Sequence, residues 1–164
     1  MPTDHSQLRV LIVDDHAFTR LLIREVLQNL GCAKEKILEA ENGGAGLQIL
    51  KEYGVDLIFS DWQMQPMDGL SFVRFLREPG KTKNPYVPII FCSAFTERHL
   101  IECARDAGVT EILTKPITVK ASEAKLNAIL EKPRKFVEEA QYFGPDRRRR
   151  GDGDALDVDR REGG

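Results

Sequence analysis

The chain has 164 residues, the size of one domain or of a small domain with a tail. Its 41% hydrophobic and 30% charged residues are ordinary for a soluble globular protein. The formal charge of −2, from 24 Lys and Arg against 26 Asp and Glu, argues against wholesale electrostatic binding to nucleic acid or an anionic membrane.

Residues 1–132 alternate short apolar runs with helical patterns. LRVLIV (8–13) reads as a strand. In the helix that follows, over 17–30, Leu22, Ile23, Val26, Leu27 and Leu30 form one stripe before Gly31. KILEA (36–40) is a weaker strand, with a helix at about 44–53. VDLIFS (55–60) precedes a helix at 70–78, and VPIIFCS (87–93) precedes one at 97–107. TEILT (110–114) precedes the last, at 119–131. Near-continuous Val, Ile, Leu and Phe mark strands covered on both faces. Five strand–helix units predict a (βα)5 doubly wound domain with a parallel five-stranded sheet over residues 7–132.

In such sheets ligands bind beyond the carboxyl ends of the strands. The residues found there are Asp14 and Asp15 after the first strand, Asp61 after the third, Ser93 at the end of the fourth, and Lys115-Pro116 after the fifth. Three converging carboxylates repel one another: two unit charges about 4 Å apart cost ~4 kcal/mol at an effective dielectric near 20. A hard divalent cation such as Mg²⁺ relieves that repulsion through oxygen ligands. A cation, a hydroxyl and one central carboxylate suit phosphoryl transfer to an aspartate, a reaction of positioning and charge neutralisation. Each residue alone has a plainer use. Asp14 and Asp15 could cap the first helix, Ser93 could form a turn, and Lys115 could be a solvated loop residue.

Taken together, Asp14-Asp15, the run Asp61-Trp62-Gln63-Met64-Gln65-Pro66-Met67-Asp68-Gly69, Ser93-Ala94 and Lys115-Pro116 resemble the receiver domain of two-component response regulators. The resemblance covers about residues 7–131 and implies the flavodoxin-like strand order 2-1-3-4-5. It implies that Asp61 accepts a phosphoryl group from a histidine kinase or a histidine phosphotransfer protein. It further implies that Asp14, Asp15, Asp61 and the Gln63 backbone carbonyl hold Mg²⁺, and that Ser93 and Lys115 bind the phosphoryl oxygens. Pro116 resembles the family's cis-proline preceded by lysine. One departure stands out, because Ile112 occupies the position three before the lysine where family members commonly carry an aromatic switch residue.

Residues 133–164 form a tail with eight basic and eight acidic residues. Phe136, Val137, Ala140 and Phe143 fall at helical spacing, predicting a helix over 134–143 followed by a disordered end. Arg147 to Arg150 could bind nucleic-acid phosphates, an acidic lipid surface or an acidic partner face, although a solvated linker whose arginines pair with the following aspartates is the simpler reading. A tail of 32 residues holds no second folded output domain, so output through a downstream protein target in a phosphorelay is expected. A homodimer through the fourth and fifth helices is one form of that contact.

The competing enzymatic reading is a Mg²⁺-dependent phosphohydrolase with an aspartyl-phosphate intermediate. Such enzymes place the nucleophile after the first strand beneath a cap, whereas the candidate nucleophile here, Asp61, follows the third strand and no insertion is of cap size. No apolar run approaches the ~18 residues of a membrane span. The opening MPTDHSQLRV also lacks the shape of a signal peptide, so a cytoplasmic phosphoacceptor, not an enzyme in the usual sense, is expected. Cys32, Cys92 and Cys103 are expected as reduced, buried thiols, and His5, His16 and His99 as exposed side chains.

Overall fold

The computed structural model describes residues 5–94, 97–131, 136–139 and 142–145. Five parallel strands run in the order β2-β1-β3-β4-β5: β1 (Val10–Val13), β2 (Ile37–Ala40), β3 (Leu57–Asp61), β4 (Ile89–Ser93) and β5 (Glu111–Thr114). The connecting helices are α1 (Ala17–Asn29), α2 (Gly43–Glu52), α3 (Gly69–Arg77), α4 (Arg98–Ala107) and α5 (Val119–Glu131). The doubly wound fold expected from the sequence is the one observed.

The period of two along β1 divides the core. Leu11 and Val13 face a cluster with Leu47 and Leu50 of α2, Phe72 and Leu76 of α3, and Ala104 of α4. Val10 and Ile12 face the opposite cluster, with Ile23 and Leu27 of α1 and Leu126 and Ile129 of α5. Central strands β1, β3 and β4 are buried along their whole length. Each such aliphatic side chain contributes ~1.5–3 kcal/mol on burial, so the middle of the sheet dominates cohesion.

Helix ends follow local chemistry. Asn42 caps α2 by accepting from the Ala45 amide at 2.8 Å, and Asp68 caps α3 by accepting from the Ser71 amide at 2.8 Å. Gly108 ends α4 with a φ of 113°, a left-handed conformation that glycine adopts without strain. By contrast, α1 has His16 at its N-cap with no side-chain capping bond. The capping alternative for the Asp pair therefore fails.

Three expectations need correction. The tail does not continue as a helix at 136–139 and 142–145, which form antiparallel strands β6 (Phe136–Glu139) and β7 (Tyr142–Pro145), with Glu139 opposite Tyr142. Aromatic and β-branched residues favour strands, and a ten-residue helix standing alone gains little. This hairpin sits with β7 against α4. The segment from 146 onward, including Arg147 to Arg150, lies outside the described residues. His5 is buried, its Nδ1 2.8 Å from the Leu30 carbonyl, because the residues before β1 fold onto the end of α1. Cys32 and Cys92 are buried as expected, but Cys103 is exposed on the outer face of α4. Burial alone pushes the Cys32 thiol up to about 11, so it is protonated and inert at neutral pH.

Candidate functional site

Parallel strands deliver the ends of β1, β3, β4 and β5 to one edge of the sheet. Asp61 is the last residue of β3, paired in register with Cys92, so Ser93 stands one residue further along the neighbouring strand. The Lys115 amide donates to the Ser93 carbonyl at 2.9 Å, fastening the exit of β5 to the end of β4. The Lys115-Pro116 peptide is cis, as the resemblance implied, and Gln65-Pro66 is a second cis bond that the sequence reading did not anticipate.

Asp61 is buried. Its Oδ1 accepts from the Trp62 amide at 2.8 Å and from Lys115 Nζ at 3.2 Å. Lys115 remains 32% exposed, so its charge is shared between the carboxylate and water. Ser93 is 2% exposed beside them. The turn after β3 folds back so closely that the Gly69 amide reaches the Trp62 carbonyl at 2.8 Å. A Cβ at Gly69 would stand 2.5 Å from the Asp61 carbonyl oxygen, which explains glycine at that position.

Asp14 is fully buried. Its Oδ1 accepts from the His16 amide at 2.8 Å, while its Oδ2 has no hydrogen-bond partner. Burial, and then the neighbouring Asp61 charge, raise the Asp14 carboxyl above its ordinary value of 3.8. The His16 amide and the Lys115 charge oppose that shift. His16 itself is 70% exposed, with Nδ1 2.9 Å from Asp15 Oδ1 and 3.4 Å from Asp14 Oδ1. One ligand atom from each of Asp14, Asp15, His16 and Asp61 lies within 4.8 Å of the others. An orphaned buried carboxylate oxygen and a hard, oxygen-rich donor set fit a divalent cation such as Mg²⁺.

Beside this cluster opens a cleft of about 490 Å³, lined by Asp15, Trp62, Gln63, Met64, Gln65 and Asp68. Trp62 is 7% exposed and tilts against Phe91 with ring centroids 5.4 Å apart. Ile112, in register with Phe91, is half-buried against the same core cluster. Asp14, Asp15 and Asp61 thus come together with Lys115, and Ser93 and Gln63 lie on the adjoining strand and turn. Sequence reasoning missed Arg20, whose Nη1 donates to the Asp14 carbonyl at 2.6 Å. Its only advance signal was its place on α1 one and a half turns beyond the Asp pair.

Among the described residues, no helix is long and apolar enough to cross a membrane. A family profile described as the response regulator receiver domain matches residues 10–134. The chain is 33% identical over 124 residues to a probable chemotaxis protein CheY of Rhizobium etli, covering 76% of this chain and 93% of the relative. It is 30% identical over 128 residues to chemotaxis protein CheY-3 of Vibrio cholerae serotype O1, covering 78% and 95%. Among solved structures, Vibrio cholerae chemotaxis protein CheY4 superposes with a TM-score of 0.66 at 26% identity, over 74% of this chain and 98% of that one. A two-component response regulator from Clostridium difficile gives 0.67 at 25%, over 77% and 98%. With the strand order, the acidic cluster and the lysine all in place, the chain belongs to the response regulator receiver domain family.

Proposed function

We propose that this receiver domain takes a phosphoryl group onto Asp61 from a histidine kinase or a histidine phosphotransfer protein, in a Mg²⁺-dependent reaction. The observation that carries this reading is the Lys115 Nζ contact to Asp61 Oδ1 at 3.2 Å, set beside a buried Asp14 oxygen that has no partner. The Asp61 carboxylate oxygen bonds to phosphorus as the phosphorus–nitrogen bond to the donor imidazole breaks. The imidazole leaves with the bonding pair and takes a proton from solvent. Asp14, Asp15, Asp61 and the Gln63 backbone carbonyl would hold the metal, which supplies charge neutralisation to the phosphoryl oxygens. Lys115 offers a compact cation to the arriving anion, and the Ser93 hydroxyl offers a hydrogen bond to it.

Phe18 and Leu21, 77% and 52% exposed, stand on the α1 turns after the Asp pair and give a protein donor an apolar footing. The phosphorylated state then shifts a conformational population that a downstream protein, or a second copy of the chain, reads at α4 and α5. On this reading the chain is a cytoplasmic signalling phosphoprotein and not a classical enzyme.

The test is intact-mass analysis after incubation with acetyl phosphate, with and without Mg²⁺, on wild type and Asp61→Asn. A Mg²⁺-dependent gain of one phosphoryl group in wild type alone is the expected result. Equal labelling of Asp61→Asn would overturn the assignment of the acceptor.

A further inference from the structure

Asp14 is useful to a metal only if its carboxylate is aimed before the metal arrives. Its own side chain is held at one oxygen, by the His16 amide at 2.8 Å. Its peptide is held from two further directions. The Asp14 amide donates to the Ala40 carbonyl at 3.1 Å, extending the β1–β2 ladder by one step. From the other side Arg20 reaches back from α1, and its Nη1 donates to the Asp14 carbonyl at 2.6 Å. The same guanidinium donates through Nε to Glu39 Oε1 on β2 at 3.0 Å. Arg20 is 17% and Glu39 31% exposed, so the carboxylate end of this contact meets water and is partly screened, and the part-buried bond to the Asp14 carbonyl is the firmer hold.

Arg24, one turn further along α1, supplies an internal comparison. It donates to Glu39 Oε2 at 2.6 Å and to the carbonyls of Lys34 and Ile37 at 3.3 and 2.9 Å. Both arginines therefore tie α1 to β2 through one carboxylate, but of these two only Arg20 touches the turn that carries the Asp pair. A planar fork can hold a carboxylate and a carbonyl at once, whereas an ammonium delivers one undirected charge.

We propose that Arg20 is a positioning residue for the metal site: braced by Glu39, it fixes the Asp14 peptide so that the Asp14 and Asp15 carboxylates are set for Mg²⁺ before it binds. This inference rests on the phosphoacceptor reading of the same site. Partners that orient metal ligands typically change affinity by 10–100-fold when removed, and a contact made through the backbone belongs near the lower end.

The test is a Mg²⁺ titration followed by Trp62 fluorescence on the full chain, for wild type, Arg20→Gln, Arg20→Lys and Arg24→Gln. Arg20→Gln should raise the Mg²⁺ midpoint about tenfold. Arg20→Lys should recover only part of that, and Arg24→Gln should stay within about twofold of wild type. Labelling of Arg20→Gln by acetyl phosphate should return toward the wild-type rate at saturating Mg²⁺. In metal-free protein, the His16 amide of Arg20→Gln should exchange faster with solvent, because the turn that protects it is released. A wild-type protein that neither responds to Mg²⁺ nor takes a phosphoryl group overturns the phosphoacceptor reading, and the role of Arg20 falls with it. A wild type that does both, beside an Arg20→Gln variant with an unchanged Mg²⁺ midpoint, overturns the role of Arg20 alone. Equal weakening by Arg24→Gln also overturns it, by reducing the effect to general anchoring of α1.

Discussion

Arg77 and Asp14 are both charged and almost wholly inaccessible, yet they are treated in opposite ways. At the end of α3, the Arg77 guanidinium donates to the Gly108 carbonyl at 2.8 and 3.1 Å, to Val87 at 2.6 Å and to Pro85 at 2.7 Å. Its charge is spread over the dipoles of three backbone carbonyls. Asp14, at the carboxyl edge of the sheet, keeps one oxygen unpartnered and sits beside a second carboxylate. A buried charge used for cohesion is saturated with hydrogen bonds, whereas a buried charge kept for a ligand is left short of them.

The largest effect should come from breaking the saturated member. Arg77→Met leaves the carbonyls of Gly108, Val87 and Pro85 without that donor inside the fold, and should cost ~3 kcal/mol in urea unfolding. A loss below ~1 kcal/mol would show that water or backbone movement replaces the guanidinium easily.

Next comes Gly69→Ala, which forces a methyl group against the Asp61 carbonyl oxygen and the Phe91 ring. It should destabilise by ~1–3 kcal/mol and slow phosphoryl uptake at Asp61, since the turn holding Trp62 must move. An unaltered labelling rate would separate the tight approach from the chemistry.

The smallest effect should carry the opposite sign. Asp14→Asn keeps the shape and removes the charge, so in metal-free protein at pH 7 it should stabilise by ~1 kcal/mol. The folded carboxyl binds its proton more tightly than the unfolded one, so wild-type stability falls as pH rises above 3.8. The advantage of Asp14→Asn should therefore shrink as pH is lowered toward that value. Mg²⁺ at ten times its dissociation constant should add ~1.4 kcal/mol to wild type and much less to Asp14→Asn. An equal gain in both proteins would place the ion elsewhere.

The sheet was legible because each strand is a short, nearly unbroken apolar run. The expected helix over 119–131 coincides with α5, and that over 17–30 runs one residue beyond α1. The acidic residues and Lys115 were legible for a related reason: in a parallel sheet, whatever follows each strand gathers at one edge. What escaped is everything set by partners distant in sequence. Arg20, Arg24 and Arg77 look like any basic residue on an amphipathic helix, and only the tertiary fold reveals the carbonyls they reach. The hairpin of β6 and β7 was misread because Phe136, Val137 and Phe143 satisfy a helical spacing, while strand pairing leaves no mark in so short a segment. His5 was misread because nothing local says that the residues before β1 fold back onto Leu30.

The bonds from Arg77 to Gly108 bear on more than cohesion. They moor the carboxyl end of α4, where Val109 and Thr110 lead at once into β5. The other end of α4 begins at Arg98, only five residues beyond Ser93, and its first turn is open to solvent. The two ends of α4 therefore differ in firmness: Ala104, Arg105 and Ala107 are buried at the Gly108 end, while Arg98 and His99 stand in solvent. A change that begins at the exposed end meets less resistance than one that begins where the guanidinium holds the chain.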